Sequence, residues 1–129
     1  MTPDLICLLI LALWSIPLNH APAIPRVLTA GVGWALGNRD TTPKVSPWVE
    51  RADRAQRNHH DNLATIAIII VVAHLAGQAD EITAMASVAI VASRVVHGVT
   101  YIAGIGVLRS LSYFVSLLGI GVILIRLFT

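Results

Sequence analysis

An all-α integral membrane bundle of four helices is the fold class this sequence predicts, and three observations predict it. Of the 129 residues 56% are hydrophobic and only 12% charged, against roughly 25% charge in an ordinary soluble domain. One small core could not hide that much apolar surface, so lipid must take up the excess. The apolar residues also fall into four stretches near the length of about 20 residues that a bilayer crossing needs. Finally, the lone cysteine, Cys7, rules out a disulfide scaffold, and low charge with high hydrophobicity rules out a disordered chain.

The first stretch, Leu5 to Leu36, is interrupted by Pro17, Asn19, His20, Pro22, Pro25 and Arg26. Proline removes a backbone donor and crowds the preceding turn. The expected element is therefore one long helix kinked at the prolines, or a helix followed by a re-entrant piece. The leader Met1-Thr2-Pro3-Asp4 carries no positive charge, which argues against a cleaved signal peptide. A polar loop, Gly37 to Val45, ends at Ser46-Pro47, where Ser46 is placed to cap a second helix beginning with Pro47. That helix is expected to reach Gly77, yet only Leu63 to Ala76 is continuously apolar, so its first half must lie outside lipid or inside the bundle. Gly77-Gln78-Ala79-Asp80 reads as a short acidic turn, Glu81 to Ile105 as the third helix and Leu108 to Leu127 as the fourth, with Gly104 and Gly106 marking the turn between them.

Orientation follows from the bias of Lys and Arg toward the cytoplasmic ends of spans. Arg39, Lys44, Arg51, Arg54 and Arg57 lie between spans one and two, and Arg109 between spans three and four, whereas the opposite side has chiefly Arg126. Both termini are expected on the non-cytoplasmic side. Basic residues pressed against a membrane also make nucleic acid an implausible partner, and no phosphate loop, nucleophile elbow or metal-binding spacing is present.

The scarce polar residues are ordered. On the second helix Arg51, Arg54, Asn58 and Asp61 recur at spacings of three, four and three, an arc of about 80° at about 100° per residue. On the third, Arg94, His97 and Tyr101 recur at three and four, an arc of about 60°. Arg109, Ser110 and Tyr113 crowd the start of the fourth. Arg94 is the most informative, because a charge in mid-membrane costs roughly 2.5–3.5 kcal/mol. An internal Arg94–Asp61 pair could offset that cost with no ligand at all. Across the stripes, however, arginines outnumber Glu50 and Asp61, and an anionic ligand would satisfy the excess, since the planar guanidinium holds carboxylates in a fork. Taken one by one, the same residues have plainer readings: the Arg51 to Arg57 run as a solvated helix start, His97 as a packing histidine, Tyr101 and Tyr113 as an aromatic belt.

The segment Glu50-Arg51-Ala52-Asp53-Arg54-Ala55-Gln56-Arg57-Asn58-His59-His60-Asp61 resembles the ERxxRAxxNxxE signature of the MAPEG family, the membrane-associated proteins in eicosanoid and glutathione metabolism. Arg94, His97, Tyr101, Arg109, Ser110 and Tyr113 also resemble the family, closest to its microsomal prostaglandin E synthase and glutathione transferase branch. The resemblance implies a homotrimer of four-helix protomers in membrane lipid, binding glutathione between subunits toward the cytoplasmic side, and an activity as glutathione transferase, peroxidase or isomerase on a lipophilic small molecule. It places Arg54, Asn58, Asp61, Arg94, His97, Tyr101 and Tyr113 at glutathione-contacting positions, with Arg51, on the same stripe of the second helix, counted among the glutathione-binding residues and Arg39 matching more loosely. Arg109 would lie beside the glutathione sulfur, and the Ser110 hydroxyl would donate to the thiolate. Asp61 stands where the signature has Glu, Gln56-Arg57 replaces a His-Arg pair, and the turn before Arg109 is one residue shorter. Two other readings fit part of the pattern: a non-catalytic glutathione- or lipid-binding member, and a small multidrug transporter, which needs a membrane-embedded acidic residue that the first span lacks beyond Asp4.

Overall fold

The computed structural model describes all residues from Met1 to Thr129 and contains helices and no strands. The helices are α1 (Pro3–Ala30), α2 (Val32–Leu36), α3 (Pro47–Leu75), α4 (Glu81–Ala103) and α5 (Gly106–Phe128). Helix α3 packs on α1, α4 and α5, α4 also packs on α1 and α5, and α1 and α5 make no close backbone approach to one another. Leu11, Ile66, Ile70, Ala86, Ile90 and Ile123 close the core.

The first expected span is divided. Helix α1 continues through Pro17, Pro22 and Pro25 and stops at Gly31, whose φ of 85° is open to glycine at little cost. The short α2 then leads into the polar loop. In apolar surroundings an unwound backbone would strand its polar groups, so the helix persists past residues that would end it in water. Ser46 holds the N-cap position of α3 with Pro47 as first helical residue, but its side chain makes no capping hydrogen bond. The built cap lies instead on α4, where the Asp80 carboxylate accepts from the Ile82 and Thr83 backbone N–H groups and the Thr83 hydroxyl bonds back to Asp80. Gly104, at φ 83°, makes the turn into α5, so α4 ends and α5 begins two residues earlier than expected.

Three helices, α1, α4 and α5, are long and apolar enough to cross a membrane. Helix α3 is not among these three, where four spans were expected: Glu50, Arg51, Asp53, Arg54, Arg57 and Asp61 fill its first half and, as the sequence indicates, only the second half is apolar. Gly119 allows α5 to lie close to α4, since a Cβ there would stand 2.6 Å from Ile90 Cγ1 and 3.1 Å from the Ala86 carbonyl oxygen.

Candidate functional site

Arg94 is 1% exposed. Its Nη2 donates to the Asn58 carbonyl oxygen at 3.0 Å and to Asn58 Oδ1 at 2.9 Å, while its Nε and Nη1 are buried with no hydrogen-bond partner. The ion pairs of the chain are Arg26–Asp53, Arg57–Asp53 and Arg126–Asp80. The internal Arg94–Asp61 pair is therefore not formed: Asp61 is exposed on α3, and the arginine has only a neutral amide beside it.

Asn58 borders a cavity of about 390 Å³ that is also lined by His97, Tyr101, Arg109, Ser110, Tyr113 and Phe114. His97 Nδ1 lies 3.0 Å from the Arg109 carbonyl oxygen. A carbonyl only accepts, so Nδ1 carries the hydrogen, and Nε2, buried and unpartnered, keeps a free lone pair in the neutral ring. This bond ties α4 to the first turn of α5. The His97 ring packs against Tyr101 and Tyr113 with centroids 5.6 and 6.0 Å away. The Arg109 guanidinium sits 4.8 Å from the Tyr101 ring centroid, a cation–π contact that holds its charge at the wall. Ser110 Oγ donates to the Gly106 carbonyl oxygen at 3.0 Å, so donating to a ligand requires its hydroxyl to turn away from its own helix. Arg109, Ser110 and Phe114 also border an adjoining space of about 480 Å³ with Gly106, Val107 and Leu111.

The structure thus gathers Asn58, His97, Tyr101, Arg109, Ser110 and Tyr113, with Arg94 behind Asn58. It separates the others. At about 100° per residue, Arg51 and Asn58 fall on the α4-facing edge of α3, Asp53 and Gln56 on its α1-facing edge, and Arg54, Arg57 and Asp61 on the face between. Arg51 Nε donates to the Ile102 carbonyl oxygen at 2.8 Å and its guanidinium packs beside Gly104, which clamps α3 to the end of α4. Arg54 and Asp61 are exposed. Arg39 lines a second cavity of about 490 Å³, between α1, α2 and α3, with Asn19, Arg26, Trp34, Asp53 and Arg57.

In that second cavity Arg26 Nη1 donates to Asp53 Oδ1 at 2.8 Å, Arg57 pairs with the other carboxylate oxygen, and Gln56 Nε2 donates to Asn19 Oδ1 at 2.9 Å. Burial alone would raise the Asp53 pKa, but the hydrogen bonds and charges of Arg26 and Arg57 outweigh it and hold the carboxyl below its ordinary value. In the sequence Asn19 and Arg26 stand out only as interruptions of the first apolar stretch, and Trp34 does not stand out at all. The available signal was an arginine and an asparagine embedded among prolines in an otherwise apolar helix.

A helical membrane protein with an arginine- and aromatic-lined cavity at one end of the α3–α4–α5 packing is the class that fold and site define. The profile of the MAPEG family matches residues 5–129, nearly the whole chain, and the chain belongs to that family, which includes glutathione transferases. No curated protein and no solved structure shows significant similarity to it.

Proposed function

We propose that the chain is a membrane-bound, glutathione-dependent transferase or peroxidase acting on a lipophilic electrophile or lipid hydroperoxide, with glutathione held in the cavity around Asn58, His97, Tyr101, Arg109, Ser110 and Tyr113. The observation that carries this reading is Arg94, a fully buried guanidinium with two unpartnered donors and no carboxylate. Its charge, together with that of Arg109, favours an anion in the adjoining space. Glutathione, with two carboxylates and one ammonium at neutral pH, is a net anion, and about 390 Å³ lies within the usual range of about 300–1,000 Å³ for small-molecule sites.

Bound glutathione supplies a thiol sulfur that becomes a strong nucleophile as the thiolate. Arg109, steadied by the Tyr101 ring, lowers the cost of negative charge at the cavity wall, and the Ser110 hydroxyl, turned from Gly106, donates a hydrogen bond to it. Arg94 fixes Asn58 Oδ1, which leaves the Asn58 amide N–H groups for a ligand carboxylate. The adjoining space beside Leu111 and Phe114 gives a lipophilic second substrate an apolar approach from the bilayer.

The assembly belongs to the same proposal. The exposed charged face formed by Arg54, Arg57 and Asp61 on a helix among membrane spans is suited to cover by further copies of the chain. That supports the homotrimer, with a neighbour completing the glutathione site and Arg54 and Asp61 reaching the ligand or the neighbour. The basic end then faces the cytoplasm and both termini the opposite side. The test is ultraviolet detection of thiolate when glutathione is added to protein in lipid nanodiscs, followed by conjugation of an apolar electrophile. Binding without thiolate formation would identify a non-catalytic member, and absence of binding would sink the proposal.

A further inference from the structure

We propose that the outer α4–α5 face, at the end of the bundle away from Arg109, binds one two-chain phospholipid whose headgroup carries a primary ammonium, as phosphatidylethanolamine does. Two apolar hollows lie side by side there. One, of about 340 Å³, runs between α4 and α5 over Ala86, Ala89 and Gly119. The other, of about 410 Å³, follows α4 over Ala84, Ala89 and Ala92. Met85 and Ala89 border both, and Met85, 69% exposed, stands as a ridge between them. The small residues leave room where larger side chains would fill the surface, and the exposed Leu118 and Val88 wall the two hollows on their outer sides.

Length and charge choose the occupant. The hollows follow α4 from Glu81 to Ala92, about 16 Å at about 1.5 Å per residue, and one leaflet of a hydrocarbon core about 30 Å thick is about 15 Å deep. Their number matches the two acyl chains of one lipid. Acyl chains on a helix gain packing but no hydrophobic advantage over bulk lipid, so selection rests on the polar mouth. There Glu81 is exposed, borders the second hollow and belongs to none of the ion pairs. Arg126 continues the α5 stripe of Leu118 and Val122 at spacings of four. Its Nε and Nη2 bond to Asp80 Oδ2, whereas Nη1 has only the Thr129 hydroxyl at 3.5 Å. Asp80, Glu81 and Arg126 together carry one net negative charge, which disfavours an anionic headgroup. A zwitterion fits, with its phosphate on Arg126 Nη1 and its ammonium on Glu81. A primary ammonium has N–H donors for that carboxylate, and the trimethylated group of phosphatidylcholine has none. The inference is independent of glutathione use, because the hollows share no residue with the cavity around Asn58 or the space adjoining it.

The test reconstitutes the full chain in nanodiscs of phosphatidylcholine, phosphatidylethanolamine and phosphatidylglycerol in equal parts, extracts it in mild detergent, and counts retained lipid by native mass spectrometry. The wild type is expected to keep phosphatidylethanolamine in preference to the other two. Glu81→Gln should reduce that preference about threefold, the size expected of one exposed charge pair, and leave retention of phosphatidylcholine unchanged. Ala89→Phe, which fills the border of both hollows, should lower retention of all three lipids about tenfold. Val99→Phe adds the same bulk at an exposed position of α4 outside the hollows and should change nothing. Equal retention of the three lipids by the wild type overturns the proposal, as does an undiminished preference in Glu81→Gln, undiminished retention in Ala89→Phe or an equal loss in Val99→Phe. A change of oligomeric mass in Ala89→Phe overturns it too, since the face would then hold a second copy of the chain, and so does a raised KM for an apolar electrophile, since the occupant would then be a substrate.

Discussion

Arg94→Gln separates a ligand-directed arginine from a structural one. The substitution removes the buried charge and both unpartnered donors and keeps an amide that can still donate to Asn58. Without ligand, two effects oppose. Removing a mid-membrane charge recovers about 2.5–3.5 kcal/mol, and exchanging two charge-assisted bonds to Asn58 for one neutral bond loses a similar amount, so apo stability should move by no more than about 2 kcal/mol. With glutathione at a hundredfold excess over its Kd, the wild type gains about 2.7 kcal/mol. Losing about 1.5–3 kcal/mol of interaction weakens binding about 10–100-fold, which leaves about 0.4–1.4 kcal/mol of that gain. Thermal denaturation in nanodiscs with and without glutathione reads both quantities. A full glutathione shift in the variant would refute the reasoning, as would an apo loss of about 3–5 kcal/mol, the cost of breaking a buried pair the fold depends on.

The remaining expectations are shorter. Arg109→Ala should lower kcat with an apolar electrophile about 100-fold while glutathione affinity changes less, and kcat at the wild-type level removes Arg109 from the reaction. Gly119→Ala should destabilise the α4–α5 contact by about 1–3 kcal/mol, because its Cβ would stand 2.6 Å from Ile90 Cγ1; Ile90→Ala in the same chain should recover part of the loss, and unchanged melting would contradict the close approach. The Asp80 carboxyl is held below the ordinary value of an aspartate by the Thr83 backbone N–H and then by Arg126, so its contribution to stability is complete above about pH 4. It fades as pH falls below that value. Melting temperatures from pH 7 to pH 3 should show this loss, and Asp80→Ala should abolish that part of the acid response.

Much of the fold was legible because lipid and helix periodicity leave few alternatives. Apolar runs locate α1, α4 and α5, and Gly104 and the Asp80 cap punctuate them as their chemistry requires. The break at Gly31 was harder, since prolines earlier in the same stretch are louder sequence signals yet the helix runs through them. Helix α3 was expected to divide into a polar and an apolar half, and it does. The stripe Arg51, Arg54, Asn58, Asp61 was legible as one arc but not as two environments, because an arc does not say where a neighbouring helix ends. Helix α4 covers the edge holding Arg51 and Asn58 and leaves Arg54 and Asp61 open. The pairing of Arg26 with Asp53, 27 residues away, lay beyond local pattern altogether.

The two cavities show how a chain with few charges assigns them. Beside α1 the protein supplies part of its own counter-charge, since Asp53 neutralises one of three arginines and joins α1 to α3. Around Asn58 it supplies none. Arg94 is bonded only to Asn58 and Arg109 rests on an aromatic ring, although Glu50 and Asp61 lie on the same helix as Asn58 and face outward. A fold seeking only stability would turn one of those carboxylates inward, since an unpaired buried charge costs several kcal/mol, of the order of 3–5 when a partner is missing. Leaving the position open keeps the arginine field directed at the cavity, and an acid brought there from outside then gains what an internal aspartate would have consumed. Placing an acid at position 58 tests this directly: Asn58→Asp should raise the melting temperature of the free protein and abolish the stabilisation by glutathione, and if both quantities fall together the arginine was never waiting for a ligand.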